Sequence, residues 1–240
     1  MNASFTLFGP AHLTAIALTC LAAWHLIRFY RRTESAPAAR VPWNKVLAIS
    51  LFITVMLDPL LNGWRNLHNP AEVWRIIKTE SFPVHLCDIV AILLGCALLR
   101  NSQRCAELGY LWGLSGTLQG LITPAIKYGF PAPEFFAFFL QHGGVPAVAI
   151  GLAFGTSALK PQSGALWRAL VWINVYLAGI FLFNWLLGTN YGYVNHKPAP
   201  PTLIDFLGPW PLYLLSLEAV AVFFFFLLLL PVRRATVSMG

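Results

Sequence analysis

Residues 212–230 read LYLLSLEAVAVFFFFLLLL, a stretch in which Glu218 is the only charged side chain. A run of about 20 apolar residues is long enough to cross the hydrocarbon core of a bilayer as a helix. Similar runs recur along the 240 residues, of which 58% are hydrophobic and 10% charged. A soluble domain of this size could not bury so much apolar surface, so the composition indicates an integral membrane protein. The runs are continuous rather than alternating, which favours helices over barrel strands.

The apolar runs predict an all-α bundle of about seven transmembrane helices in a single polytopic membrane domain, residues 1–240. The predicted helices cover residues 11–30, 43–62, 82–99, 105–124, 134–156, 165–188 and 208–230. Proline-rich turns are expected at residues 131–133 and 198–201. Pro83, Pro209 and Pro211 are expected just inside helix starts, where a missing N–H is tolerated.

The basic residues divide unevenly between the two ends of these helices. In the seven-helix arrangement, eleven of the 16 Lys and Arg residues fall on one side and five on the other. The richer side is expected to be cytoplasmic, which predicts an external N-terminus and a cytoplasmic C-terminus. These flanking residues also account for the net charge of +7, so nucleic acid is not an expected partner. Residues 63–81 then lie outside, either as an amphipathic helix on the outer leaflet or as a hydrated loop.

Most polar residues inside or beside the apolar runs fall in the predicted outer half. Polar groups are costly in hydrocarbon, so such a set is expected to face a shared cavity. We therefore predict a polar pocket that opens toward the outer leaflet. Its predicted lining residues are His85, Asp88, Asp58, Gln141, Asn190, Tyr191, Lys197, Asp205, Trp210 and Glu218. His12, at the start of the first helix, is interpreted as interfacial.

Two short stretches, FPVHLCD at 82–88 and FLQHGG at 139–144, contain the residues best suited to catalysis. Cys87 is expected in about the second turn of its helix, and His142 at a similar depth in another helix. A thiol and an imidazole at one depth form a possible nucleophile and base, the alternative being a buried cysteine beside a structural histidine. The glycines after His142 would let a helix or a ligand approach closely. The cysteine spacing indicates neither a disulfide framework nor a zinc site.

Five stretches together carry a resemblance to a known family. They are FGPAHL at 8–13, PVHLCD at 83–88, QHGG at 141–144, NYGY at 190–193 with Lys197-Pro198, and DFLGPWP at 205–211. On these residues the chain resembles the YwaF-type bacterial integral membrane proteins. More distantly, it resembles the transmembrane-protein-164 family. The first resemblance implies a multi-pass protein of the bacterial cytoplasmic membrane.

The transmembrane-protein-164 family is described as membrane acyltransferases that act on phospholipids through a cysteine nucleophile and a histidine. Matched by motif, that cysteine falls on Cys87 and the histidine on His142. The chain departs from the family pattern at two places, since His85 replaces an asparagine and Asp88 replaces a histidine. The resemblance implies a lipid acyltransferase or lipid-ester hydrolase that acts on phospholipid or lysophospholipid without a cofactor or a metal.

In this enzyme hypothesis, the expected hydrogen-bond donors to the oxyanion are Tyr191, Asn190 and Gln141. The main alternative is a non-enzymatic lipid or small-solute binding protein or transporter. Its expected ligands for a cation or an amine are Asp58, Asp88, Asp205 and Glu218. A haem held between two histidines at matched depth is a further alternative, with His85 and His142 as the ligands.

Overall fold

The computed structural model describes residues 4–124, 126–197 and 203–237. The helices are α1 (Pro10–Arg32), α2 (Val41–Arg65), α3 (Pro70–Ile76), α4 (Leu86–Arg100), α5 (Gln103–Trp112), α6 (Leu118–Ile122), α7 (Pro133–Gly155), α8 (Ala165–Leu187) and α9 (Leu212–Val237). The described ranges contain no named strand, only an isolated bridge between Ser4 and Tyr128. The predicted all-helical class is therefore confirmed.

Five of the described helices are long and apolar enough to cross a membrane, namely α1, α2 with the short 3-10 turn before it, α7, α8 and α9. A sixth span results if Pro70–Ser81 and Leu86–Arg100, which are bent by 73° at their junction, are one broken span. The run from Gln103 to Ile122 is also helical throughout, and at ~1.5 Å per residue it is about 30 Å long. The structure thus shows several apolar helices, while the count of seven and the orientation stay predictions.

Helix α7 is the centre of the bundle and packs against α1, α2, α4, α5 and α6. Its small residues Gly143, Ala147, Gly151 and Gly155 recur every four positions and so form one smooth stripe. The backbone of α1 lies close against this stripe. A Cβ added at Gly151 would lie 2.6 Å from Leu26 Cβ, and no real side chain tolerates that distance. Close approach through small residues is a usual way for membrane helices to associate.

The predicted start of α4 is four residues too early. This helix begins at Leu86 rather than residue 82, and residues 82–85 form a turn. Contacts from distant residues hold that turn, because Tyr176 Oη donates to the Val84 carbonyl at 2.9 Å and the Phe82 N–H donates to Tyr191 Oη at 2.9 Å. The prediction that Pro83 lies inside the helix is therefore wrong.

Helix α9 shows the same error. It begins at Leu212, so Pro209 and Pro211 precede it instead of forming its first turn. By contrast, the predicted limits of α1, α7 and α8 agree with the structure to within two residues. The proline turn at 131–133 leads into α7 as expected, whereas the one at 198–201 lies outside the described residues.

The segment between α2 and α4 is helical rather than an open loop. Helix α2 extends to Arg65, and α3 is followed by a π-helical turn at Ile77–Ser81. The side chain of Trp74 on α3 is 66% exposed. Residues 70–81 are therefore helical, while their location on the outer leaflet stays a prediction.

Candidate functional site

The first turn of α4 forms the centre of the candidate site. Asp88 is its third residue, and Asp88 Oδ2 accepts a hydrogen bond of 3.1 Å from the His85 N–H, which precedes the helix. Cys87 is the second residue of α4 and is half-buried. It therefore lies in the first turn, not in the second as the sequence predicted. The free N–H groups there give the surroundings a partial positive charge.

Asp88 joins the two sequence stretches that were singled out for catalysis. Its Oδ1 accepts a hydrogen bond of 2.8 Å from Gln141 Nε2 on α7. Both residues are buried, Asp88 being 6% exposed and Gln141 8% exposed. A buried carboxylate requires such partners, because an unpaired one would be strongly unfavourable. The bond fixes the first turn of α4 against the middle of α7.

His142 follows Gln141, and the structure determines which of its ring nitrogens is free. Nδ1 lies 3.1 Å from the Phe138 carbonyl and therefore donates its proton there. Nε2 is left as the acceptor, which is the form of imidazole that can act as a general base. The ring stacks on Phe138 at a centroid distance of 3.9 Å. In the described part of the chain, no hydrogen bond joins His142 to Cys87.

One helical element contacts both sides of this arrangement. A π-helical segment, Gly113–Thr117, joins α5 to α6. A Cβ added at Gly116 would lie 2.7 Å from Leu86 Cδ2, and one added at Gly120 would lie 2.4 Å from His142 Cδ2. The π-helical segment therefore abuts Leu86, the neighbour of Cys87, and the following helix α6 abuts the imidazole itself. Sequence reasoning missed it, although π-helical turns are frequent at functional sites and the glycine spacing was visible.

Helix α2 contributes a second carboxylate near α4. Asn62 Nδ2 donates to Asp58 Oδ1 at 3.2 Å and to the buried Ser81 Oγ at 2.7 Å. The Asp58 carboxylate is exposed and interacts electrostatically with Cys87 and Asp88. The structure thus brings Asp58, predicted as a pocket residue, to the same site.

Tyr191 closes the site on the side of α3. Its hydroxyl accepts from the Phe82 N–H at 2.9 Å and lies 3.0 Å from the Lys78 carbonyl. Burial raises the pKa of the Tyr191 hydroxyl, so it stays protonated and donates to that carbonyl. The ring lies edge-on to His85 at 4.8 Å. Because its proton is already engaged, Tyr191 holds the π-helical turn in place and is not free to donate to an oxyanion.

Four other predicted residues form a separate network in the connection between α8 and α9. Asn190 Nδ2 donates to the His196 carbonyl at 2.8 Å, and Lys197 Nζ lies 3.8 Å from Asp205 Oδ1. Trp210 Nε1 donates to the Val194 carbonyl at 3.1 Å. None of these contacts reaches Cys87 or Asp88. These side chains stabilise the connection itself.

Glu218 and His12 also have partners away from the site. Glu218 Oε1 accepts a hydrogen bond of 2.7 Å from Asn174 Nδ2 on α8. His12 is fully buried, and Nδ1 accepts from the Phe8 N–H at 3.0 Å while Nε2 donates to the Leu121 carbonyl at 2.8 Å. The interfacial interpretation of His12 is wrong, since this side chain ties α1 to the end of α6.

The large cavity that the structure contains near α7 is apolar. It has a volume of about 720 Å³ and lies between α1 and α7, with Leu18, Phe139 and Gly144 among its lining residues. The polar residues predicted to line a pocket do not line this one.

The two glycines after His142 have different surroundings. A Cβ at Gly143 would meet Thr19 Oγ1 of α1 at 2.4 Å, whereas one at Gly144 would meet nothing within 4 Å.

Apolar helices around a small polar cluster define a multi-pass membrane protein with a polar site inside its helical bundle. Comparison with known families gives a more specific assignment. The TMEM164 family matches residues 7–229, nearly the whole chain, and the chain belongs to that family. Neither a curated protein nor a solved structure matches it. The likeness to YwaF-type bacterial proteins stays a prediction.

Proposed function

We propose that the protein is a lipid acyltransferase or lipid-ester hydrolase in which Cys87 is the nucleophile and His142 the base. The observation that carries the proposal is the hydrogen bond of 2.8 Å between Asp88 and Gln141. It holds together the two stretches that contain Cys87 and His142, each one residue away from a partner in the bond. Membership of the TMEM164 family supports the same chemistry.

The proposed reaction has two steps. Nε2 of His142 takes the thiol proton, and Cys87 Sγ attacks the ester carbonyl of a phospholipid. The carbon–sulfur bond forms, the ester carbon–oxygen bond breaks, and the imidazolium returns the proton to the departing lysolipid oxygen. An acceptor hydroxyl, or water in a hydrolase, then attacks the thioester while His142 takes its proton. The thiolate leaves and recovers that proton, which restores the starting state.

The surroundings of Cys87 suit these steps. The N-terminus of α4 favours negative charge on a thiolate in its first turn, whereas the neighbouring Asp88 and Asp58 carboxylates oppose it, so the thiol needs His142 to take its proton. Gln141 uses one of its two amide protons on Asp88 and keeps the other for a developing oxyanion. Of the three oxyanion donors expected from sequence, Gln141 is therefore the best placed. The apolar cavity beside α7, at about 720 Å³, is within the usual size of ligand sites and suits an acyl chain.

A comparison of membrane lipids from cells that carry each variant at matched expression tests the proposal. Cys87→Ala and His142→Ala are each expected to abolish the lipid change that the wild-type protein produces. Cys96→Ala is the matched control, because Cys96 is a half-buried cysteine of the same helix. A lipid change that persists in Cys87→Ala would exclude the thioester route.

The second candidate function is that of a non-enzymatic binding protein or transporter. The exposure of the Asp58 carboxylate favours it. This carboxylate has Asn62 as its hydrogen-bond partner and is available to a cation or an amine. In this case Asp58→Asn would reduce ligand binding, while Cys87→Ala would leave it unchanged. The opposite pattern would favour the enzyme.

A further inference from the structure

The basic end of the bundle contains a second cavity, far along α4 from Cys87. Its volume is about 340 Å³, and it lies between the α1–α2 connection and the C-terminal end of α4. Pro37, Arg40, Asn44 and Lys45 line one side, and Leu98 and Asn101 line the other. Unlike the cavity beside α7, it presents charged and polar side chains.

Arg40 is the unusual residue of this cavity, because its side chain is buried yet incompletely bonded. The residue is only 9% exposed. Its Nε donates to Thr33 Oγ1, and Nη2 donates to the Tyr30 carbonyl and to Glu34 Oε2, each at 2.9 Å. Nη1 has no hydrogen-bond partner among the described residues. Nη1 is not fully enclosed and keeps some accessible surface, so it is open to an acceptor from outside the chain.

The charges around the cavity leave an excess of positive charge. Glu34 balances Arg40, although its other oxygen is held by the Ser157 N–H at 3.0 Å. Lys45, one turn further along α2, is exposed and forms no ion pair within the described ranges. The helical run that continues into α2 begins at Pro37, which lines the cavity, and adds the positive end of a helix dipole.

We propose that this cavity binds a phosphate group through Arg40 Nη1 and Lys45 Nζ. Its position at the ends of the helices, beside the exposed side chain of Trp43, corresponds to the level of lipid headgroups. Basic pockets between membrane helices commonly take anionic headgroups. Phosphate is the shared chemistry of an anionic phospholipid and of free phosphate, and the two sources are separable by experiment.

The test is thermal unfolding of the detergent-solubilised full chain, followed by tryptophan fluorescence, with added phosphatidylglycerol, phosphatidylcholine or inorganic phosphate. We expect phosphatidylglycerol to raise the unfolding temperature more than phosphatidylcholine does. Lys45→Gln should raise the half-maximal lipid concentration about fivefold, since a basic residue near an anionic headgroup typically contributes that much. Lys160→Gln, a lysine of the same end that does not line the cavity, should leave it unchanged.

A rise in the unfolding temperature with inorganic phosphate, weakened by Lys45→Gln as the lipid effect is, would support the phosphate site and identify free phosphate as its source. A rise in the unfolding temperature with phosphatidylglycerol alone would identify the lipid as the source of the phosphate group. Equal effects of the two lipids with none from phosphate would overturn the proposal. So would a Lys45→Gln variant that responds to each probe as the wild-type chain does.

Discussion

Asp88 is a carboxylate nearly removed from solvent, with one hydrogen-bond donor for each oxygen. Gln141 Nε2 on α7 donates to Oδ1, and the His85 N–H in the turn before α4 donates to Oδ2. The buried Asp88 side chain holds the first turn of α4, which contains Cys87, against α7. The contribution of the Asp88–Gln141 hydrogen bond to stability can therefore be tested without an activity assay.

Gln141→Leu is expected to lower stability by about 1–3 kcal/mol, because it leaves a buried carboxylate oxygen without its donor. Thermal unfolding in detergent measures this loss. Gln119→Leu is the matched control, since Gln119 is exposed and should change stability by less than about 0.5 kcal/mol. Equal effects of the two substitutions would mean that the bond does not support the site.

At the scale of helices, the approach of α6 to α7 depends on Gly120. A Cβ there would lie 2.4 Å from His142 Cδ2, so the imidazole would have to move. Gly120→Ala is therefore expected to reduce acyl transfer by about tenfold or more, since small displacements of a catalytic group are that costly. Its packing cost is about 1–3 kcal/mol.

Gly179→Ala is the control for that experiment, because an added methyl group at this glycine of α8 meets nothing within 4 Å and the residue does not line the apolar cavity. Both changes replace a helical glycine with alanine, so helix propensity contributes equally. Lipid turnover in the two variants, measured at matched expression, tests whether the position of His142 matters for activity. Equal activity in both would show that the position of His142 is unimportant.

Tyr191 is the most distant of the side chains that hold the π-helical turn Ile77–Ser81, to which Asn62 also donates. Tyr191→Phe removes the hydroxyl that accepts from the Phe82 N–H and donates to the Lys78 carbonyl. Faster hydrogen exchange is expected in residues 77–82, with a stability loss of about 1–2 kcal/mol. Tyr193→Phe removes a hydroxyl from a neighbouring exposed tyrosine and should leave exchange there unchanged. Unchanged exchange in Tyr191→Phe would show that other contacts hold the turn.

The elements differ in how well the sequence could predict them. The ends of α1, α7 and α8 follow from apolar runs bounded by basic or turn residues, which are local features. The start of α4 depends on Tyr176 and Tyr191, which are 92 and 109 residues away from the backbone groups that they bind. No local sequence pattern indicates such contacts, so the sequence alone predicts Pro83 inside the helix.

The candidate site shows the same division. Depth along the predicted helices grouped Asp58, Asp88 and Gln141, and the structure places these three near one another. Depth carries no information on which way a side chain faces, however, so it also grouped Asn190, whose partner is the His196 carbonyl. The role of Gly120 requires knowing which helices pack together, and only the folded chain shows that.

At the scale of the whole molecule, the basic residues predict which end faces the cytoplasm. Ser163 lies in the connection between α7 and α8 at the basic end, and Lys127 lies between α6 and α7 at the other. Both positions are exposed. In intact cells, Lys127→Cys is expected to react with a membrane-impermeant maleimide, and Ser163→Cys only after the membrane is opened. The reverse pattern would invert the orientation.

The central claim is that an acyl chain passes through Cys87, and mass spectrometry of the protein tests it most directly. The purified chain is incubated with a phospholipid that carries a labelled acyl group, and the peptide containing Cys87 is analysed. We expect the mass of that acyl group on Cys87, its removal by neutral hydroxylamine, and its absence from His142→Ala. Lipid turnover that proceeds with Cys87 unmodified, and continues in Cys87→Ala, would contradict the account.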